Sequence, residues 1–320
     1  MEAIRLEQES SSTTAQQDEK RFNIDVLRAE ENVGGLIEAL GSSDDLTRQR
    51  AALALGDLGG TEAAGPLIRA LGDPLTAVRE AAADSLVLLS DAAVGPLIEL
   101  VEHPEAAKKH EKSTAAEGPA TVTGPGGGTW EIETGGDLRR VYAAAVLGEI
   151  GDPAAVGPLV RALHDENSDL RCQAAGALAK FGREAVEPLA RLLADPDPEV
   201  RIVAAGVLGE TEEASATEPL IGALRDGNPD VRGAAAGALV RIGDTAVDQL
   251  IGATEDADRN VRLYAAGALK YIGNPRAIDT LQKLARNGDA EERSVAEDAV
   301  EKIRMVRGGA APEPSAPTSR

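Results

Sequence analysis

The chain of 320 residues carries 54 acidic and 33 basic side chains, so its formal net charge is −21 at pH 7. This acidic balance argues against a nucleic-acid binder, because such proteins gain most of their affinity from Lys and Arg on phosphates. No apolar stretch approaches the roughly 20 residues that a membrane-spanning helix needs, and a lone cysteine cannot form an internal disulfide, which favours a reducing cytoplasm.

Both ends of the chain are predicted to lie outside the folded region. Residues 1–21 are rich in Ser, Thr, Gln and Glu and have no apolar core of a secretory signal, so we expect a disordered tail there. A second disordered tail, rich in Ala, Pro and Ser, is predicted over 304–320. The folded region is therefore predicted over 22–303, and its first ten residues are expected to form a short helix that caps the first repeat.

Two landmarks recur about every thirty residues within the folded region. One is an arginine close to an Ala-Ala pair, with steps of 31, 61, 31, 30, 31 and 30 residues. The other is a leucine that keeps the same step from Leu36 to Leu281. A fixed period of this length is typical of solenoids, in which each unit buries its apolar face by stacking on its neighbours. The recurring arginines are Arg48, Arg79, Arg140, Arg171, Arg201, Arg232 and Arg262.

Each unit is predicted to contain two helices. The first opens with a Pro-Leu dipeptide such as Pro158-Leu159, and proline fits a first helical turn because its missing N–H is not needed there. A turn rich in Asp, Pro and Asn follows, as at residues 195–198. The second helix carries the arginine and ends in most copies at a glycine suited to a left-handed cap. The expected fold is all-α, a right-handed solenoid of about eight helix pairs.

The second helices also carry glycines at one fixed position of the repeat. Glycine costs about 1 kcal/mol relative to alanine in a helix interior. Its recurrence predicts that a neighbouring backbone, or a partner, comes close at this position. The glycines are Gly176, Gly206, Gly237 and Gly267.

The third unit is interrupted. Its first helix is predicted over 94–101 and its second begins only near Leu138, which leaves an insertion at 102–136. Two runs in the insertion alternate as strands around a glycine-rich turn, with Trp130 and Ile132 on one face. Such long loops are uncommon and are usually functional or disordered. A recognition element and a passive hairpin folded over the adjacent helices both remain open.

The pattern Val-Arg-x-x-Ala-Ala-x-x-Leu-x-x-Ile-Gly at 231–243 resembles HEAT repeats of the phycobilisome-lyase-like type. The resemblance covers 33–303 and implies an α-solenoid. It also implies that each recurring arginine joins an acidic turn residue in a structural ladder of charge-assisted hydrogen bonds. Arginine outnumbers lysine 25 to 8 and aromatics are 2% of the chain. This balance is typical of halophilic archaea, in which molar salt screens the repulsion between acidic side chains.

Residues that could carry catalysis are sparse. HEAT-like deoxyhypusine hydroxylases use several His-Glu pairs for a di-iron centre, and only His110-Glu111 matches here. Cys172 has no histidine placed to activate it, and the sequence has no phosphate loop or nucleophile elbow. No catalytic, cofactor or metal residues are therefore predicted. The resemblance leaves one enzymatic alternative, a lyase or lyase-accessory protein acting on a protein-attached chromophore or other prosthetic group.

The expected function is a non-catalytic, cytoplasmic scaffold or adaptor that binds another protein. In HEAT-like arrays the second helices line the concave side, so the position after each ladder arginine is a candidate binding stripe with nearby aromatic anchors. Alternatively, this stripe packs against adjacent repeats. The resemblance implies a signalling or motility assembly as one setting, without a nucleic-acid or membrane partner. The candidate binding residues are Val141, Tyr142, Cys172, Ile202, Leu263, Tyr264 and Tyr271, with Trp130 and Ile132 on the insertion.

Overall fold

The computed structural model describes residues 22–103, 120–123, 129–132 and 137–308. Within these ranges the helices form eight pairs of a first and a second helix, which confirms the all-α repeat fold. The chain divides into two compact units, Met1–Phe181 and Gly182–Arg320, and each contains four of the pairs.

Unit 1 begins with a short capping helix. Its helices are α1 (Ile24–Ala29), α2 (Val33–Ala39), α3 (Asp45–Leu58), α4 (Ala64–Ala70), α5 (Thr76–Leu89), α6 (Asp91–Glu102), α7 (Asp137–Ile150), α8 (Val156–Ala162) and α9 (Ser168–Lys180). Helix α1 contacts α2 and α3 and buries Ile24. It therefore covers the first pair, as the sequence predicts for residues 22–31.

Unit 2 consists of helix pairs alone. Its helices are α10 (Arg183–Leu192), α11 (Pro198–Glu210), α12 (Thr217–Ala223), α13 (Pro229–Ile242), α14 (Val247–Ala253), α15 (Arg259–Ile272), α16 (Ile278–Asn287) and α17 (Ala290–Gly308). Helix α17 continues beyond the predicted end of the folded region at 303, and the rest of the predicted C-terminal tail lies outside the described residues. Among the described helices of both units, none is both long and apolar enough to cross a membrane.

A 3-10 turn leads into many of the first helices. The turn Pro153–Ala155, for example, runs directly into α8, so that Pro158 is the third residue of that helix. Because of this extra turn, the predicted starts at the Pro-Leu dipeptides are too late. In the third unit, α6 begins at Asp91 rather than at 94.

The second helices have side-chain caps at their N-termini and glycines at their C-termini. Asp197 and Asn228 accept hydrogen bonds from backbone amides of the first turns of α11 and α13, which satisfies donors that have no partner inside the helix. Gly273 ends α15 with φ 77° and ψ 13°, the predicted left-handed cap. Gly243 instead combines φ 70° with ψ −137°, a region that is open to glycine because it has no Cβ.

Successive second helices pack at backbone distance through a glycine eight residues after the ladder arginine. A Cβ at Gly209 would lie 2.6 Å from Cα of Ala238, and one at Gly148 would lie 2.8 Å from Cα of Ala177. The Ala-Ala pairs beside these glycines, such as Ala204-Ala205, are fully buried. The sequence pattern does not single out these glycines, although they bring neighbouring helices into backbone contact.

The recurring arginines tie the turn of one pair to the turn of the next. Nε and Nη2 of Arg201 donate to the two carboxylate oxygens of Asp226 at 2.7 and 3.0 Å, and Nη1 donates to the carbonyl oxygen of Asp195 at 2.7 Å. Arg48 makes the same fork to Asp73. Such bidentate, charge-assisted hydrogen bonds are among the stronger ones in proteins. The predicted structural ladder is present at these steps.

The fork changes the protonation of the turn carboxylate. Burial would raise the pKa of Asp226, but hydrogen bonds from Arg201 and the Asn228 amide, together with the charges of Arg201 and Arg232, outweigh it. The pKa of Asp226 is therefore held below its ordinary value. The pKa of Asp165 is lowered in the same way by Arg140, which counteracts the effect of its burial.

The repeat length decides whether the fork forms. Arg201 lies 31 residues before the next ladder arginine, and its carboxylate partner is 25 residues ahead. Only 30 residues separate Arg232 from the next ladder arginine. The residue 25 positions ahead of Arg232 is therefore Ala257, which has no carboxylate. Nε of Arg232 has no hydrogen-bond partner and its guanidinium faces the Tyr264 ring at 5.6 Å, while Asp256 bonds Arg225 instead.

A matched pair of substitutions tests the ladder. Arg201→Gln should lower the free energy of unfolding of unit 2 by about 1.5–3 kcal/mol, the range for hydrogen bonds to charged groups. Arg232→Gln should cost less, because both arginines bond two turn carbonyls but only Arg201 bonds a carboxylate. Urea denaturation measures both values, and equal losses would contradict the assigned role of the fork.

The pH dependence of the same variant is a second test. A carboxyl whose pKa is lowered by folding stabilises the fold above its unfolded pKa of about 3.9 and loses that contribution as pH falls through the folded value. The stability difference between the wild-type chain and Arg201→Gln should therefore stay constant from about pH 7 to 5 and shrink below about pH 4. Denaturation curves at stepped pH measure it, and a difference that grows in acid would count against the fork.

Candidate protein-binding surface

One surface of unit 2 is formed by corresponding positions of α11, α13 and α15. These positions directly follow the ladder arginine or lie one helical turn further on, and they are exposed or half-exposed. We call them the central stripe. Its residues are Ile202, Gly206, Gly233, Gly237, Leu263 and Gly267.

The glycines of the central stripe face open space. A Cβ built on Gly206, Gly237 or Gly267 would meet no atom within 4 Å. The prediction that a neighbouring backbone comes close at these glycines is therefore wrong. The backbone is accessible instead, and the carbonyl oxygen of Gly206 accepts a hydrogen bond from Nη1 of Arg241 at 3.3 Å.

An exposed aromatic residue stands at the C-terminal edge of the central stripe. Tyr271 is 64% exposed. Its ring lies 4.2 Å from Nζ of Lys302 and 5.4 Å from Nζ of Lys270, which also bonds Asp298. Cation–π contacts of this kind restrict an exposed ring without burying it. Tyr271 is thus held in place and still free to contact a partner.

The N-terminal edge of the central stripe carries charges of both signs. Glu199 and Asp230 lie in the first turns of α11 and α13 and are exposed, whereas α15 begins with Arg259, which pairs with Asp289 and Glu291. The opposite edge carries Arg241 beside Glu210 and the lysines around Tyr271. Negative charge at helix N-termini and positive charge at C-termini both stabilise the helices. The stripe is therefore a weakly apolar band between two edges of mixed charge.

Three of the predicted binding residues pack against other residues of this chain. Val141 and Tyr142 are only 1% and 8% exposed, so the prediction that they line an accessible surface is wrong. The Tyr142 hydroxyl accepts a hydrogen bond from Nε of Arg79 at 3.3 Å, and its ring lies 5.7 Å from the guanidinium. Tyr264 is half-buried against Arg232 in the same manner. A tyrosine ring thus faces the guanidinium at two of the ladder steps that lack the fork. Arg171 also lacks the fork and bonds the carbonyl oxygens of Asp165 and Glu166.

Two strands of the insertion form a hairpin, and one of them contacts a second helix of unit 1. Strand β1 (Ala120–Thr123) pairs antiparallel with β2 (Thr129–Ile132), with Val122 opposite Trp130, and β1 lies against α5. The side chains of Trp130 and Ile132, and the rest of the insertion after His103, lie outside the described residues. The equivalents of Val141 in later pairs, such as Cys172, are exposed or half-exposed. Burial of this position is therefore particular to the pair that carries the hairpin.

Arg140 closes the base of the insertion. Its Nε and Nη2 donate to the carbonyl oxygen of Val101, at the end of α6, at 3.2 and 2.8 Å. The same guanidinium also bonds Asp165. The two chain ends that flank the insertion are thus joined by a ladder arginine, so the stacking of helices continues past the interruption.

The described residues offer little for metal chemistry. No group of three or more His, Cys, Asp or Glu side chains among them is arranged to hold a metal ion. His103, His164 and Cys172 are exposed and lie on separate elements. His110 lies outside the described part of the chain.

The helix pairs, the ladder and the stripe define a helical-repeat protein. The family model of HEAT repeats matches residues 33–112, 137–209, 186–250 and 217–301. The chain belongs to the HEAT-repeat family.

Three solved structures are similar to parts of the chain at low identity. Human deoxyhypusine hydroxylase, solved with glycerol, is 20% identical over 88% of this chain and 99% of its own, with a TM-score of 0.33. The CpcE–CpcF complex of phycocyanin lyase from Nostoc sp. PCC7120 is 23% identical over 46% and 99%, with a TM-score of 0.35. A designed armadillo repeat protein in complex with the peptide (KR)4 is 19% identical over 75% and 99%, with a TM-score of 0.31. At these identities the likeness extends to the fold alone. No curated protein sequence matches the chain.

Two glycines of α11 and α13 give opposite predictions. Gly237→Ala should stabilise unit 2 by up to about 1 kcal/mol, because alanine is the better helix former and its methyl would enter open space. Gly209→Ala should destabilise it by about 1–3 kcal/mol, because its methyl would collide with the Ala238 backbone. Urea denaturation of both variants measures this, and a destabilised Gly237→Ala would mean that the central stripe is packed rather than open.

Proposed function

We propose that the chain is a non-catalytic scaffold or adaptor that binds another protein through the central stripe of unit 2. The open glycine positions between half-exposed Ile202 and Leu263 carry this proposal. A surface without side chains at its middle lets a partner backbone approach closely, while the flanking apolar residues supply buried area. Exposed Tyr271 adds an aromatic anchor of the kind that dominates interface energies.

The dimensions of the stripe suit a helix or an extended segment of the partner. It crosses three consecutive second helices, so a rod-like element could contact each of them in turn. The accessible carbonyl of Gly206, now bonded by Arg241, offers an additional acceptor for a donor of the partner.

We also propose that the repeats are of the phycobilisome-lyase-like type and that the chain works in a cytoplasm of high salt. In about molar salt the Debye length is roughly 3 Å, so attraction between the acidic surface and a basic partner is largely screened. Apolar contacts are not weakened in this way. Binding through Ile202 and Leu263 should therefore persist in molar salt, as a scaffold within a signalling or motility assembly of such a cell requires.

Substitutions on the second helices, compared with matched substitutions on the first helices, test the proposed function. The change Ile202→Asp plus Leu263→Asp should abolish recovery of the partner from a high-salt native lysate and lower the affinity of the purified pair at least tenfold, because two carboxylates would be desolvated at the interface. The matched control is Ile221→Asp plus Ile251→Asp, on first helices of the same unit and likewise half-exposed. The control should bind normally.

Three results would contradict the proposed site. One is normal binding by the Ile202/Leu263 variant with unchanged helical content, and another is loss of binding in the control. The third is loss of binding when 104–135 is replaced by a short turn, which would move recognition to the insertion. A purified chain that carries or transfers a chromophore would favour the lyase alternative instead.

A further inference from the structure

A groove lies on the outer side of the last helix pair, away from the central stripe. It is bounded by α16 and α17 and has a volume of about 720 Å³. Met305, at its edge, is 65% exposed. The residues that matter here are Arg286, Glu297, Val300, Glu301, Arg304 and Met305.

This groove occupies the place where another pair would stack. In the interior of unit 2 each second helix is covered by the next, from α11 through α13 and α15 to α17. Within residues 182–308, no helix covers the outer side of α17 in that way. Repeat arrays need their terminal units capped, because a unit cannot bury its outer apolar face alone.

The charges in the groove balance and are unpaired. Two arginines and two glutamates line it, and none of the four makes an ion pair within the described residues. By contrast Arg225, Arg259 and Arg276 on the same unit each bond a carboxylate of a neighbouring helix pair. In a chain of net charge −21, a neutral patch of both signs is a place where two copies can approach without strong repulsion.

We propose that a second copy of the chain occupies this groove, with the two α17 helices antiparallel about a two-fold axis. Glu297 and Arg304 are seven residues apart, about two helical turns, and lie on one face of α17. An axis between Val300 and Glu301 places Glu297 of one copy opposite Arg304 of the partner subunit, and the reverse pair forms by symmetry. Exposed Met305 supplies the apolar contact beside these two ion pairs.

The proposal goes beyond the proposed function and can fail independently of it. Analytical ultracentrifugation of the full chain in about 0.5 M salt should show a monomer–dimer equilibrium. Arg304→Glu should weaken dimerisation at least tenfold, because it places two glutamates opposite each other. The double variant Glu297→Arg plus Arg304→Glu should restore dimerisation, since the swapped pair keeps opposite charges across the axis.

The matched control is Arg183→Glu, the same charge change at an exposed arginine of α10. It should leave dimerisation unchanged. A monomeric full chain at every concentration, equal weakening by the control, or no recovery in the double variant would each overturn the proposal. A chain ending at residue 308 that dimerises while the full chain does not would show that residues 309–320 occupy the groove instead, which also overturns it. The Ile202/Leu263 variant should dimerise normally, so a failure of the binding surface remains distinguishable.

Discussion

The arrangement of this protein depends on a largely buried fork between an arginine and an aspartate that belong to consecutive helix pairs. At Arg201 and Asp226 the two charges satisfy each other, while the remaining guanidinium nitrogen holds the turn that precedes its own helix. A buried ion pair stabilises the fold only while the two charges keep their hydrogen-bonding geometry, because either charge buried alone would carry a large desolvation cost. It therefore fixes the offset between successive second helices, and that offset allows Gly209 to meet the Ala238 backbone.

At two ladder steps that lack the fork, a tyrosine ring faces the arginine instead of a carboxylate. Arg232 faces Tyr264 and Arg79 faces Tyr142. Both rings accept the guanidinium through their π-faces and need no counter-charge. Two aromatic residues that sequence alone makes attractive as binding anchors are thus part of the scaffold. Tyr271 lies at the exposed end of its helix, away from any ladder arginine, and stays accessible.

The helix pair that carries the hairpin presents a different surface from the other pairs. In unit 2 the positions after the ladder arginine are open, and the glycines one turn further on leave the backbone accessible. In unit 1 the hairpin lies against α5 and the equivalent Val141 is buried. Arg140 binds the carbonyl at which the chain leaves the array, so the interruption changes the surface without breaking the ladder. Cys172 and Gly176 on α9 of the same unit are open like their equivalents in unit 2, so the contrast is confined to the pair that carries the hairpin.

The sequence by itself determined the fold class, the period, the ladder arginines and the glycine ends of the second helices, because these depend on local spacing: a glycine end such as Gly273 acts within one or two turns. It also grouped Gly206, Gly237 and Gly267 on one face. Only the tertiary structure decided which face meets a neighbour, and there the close contact falls on Gly209 while Gly237 is open. Periodicity defines faces but not what lies against them. The burial of Tyr142, the exposure of Tyr271 and the unpaired charges beside Met305 all depend on contacts between residues distant in sequence, which no local pattern encodes.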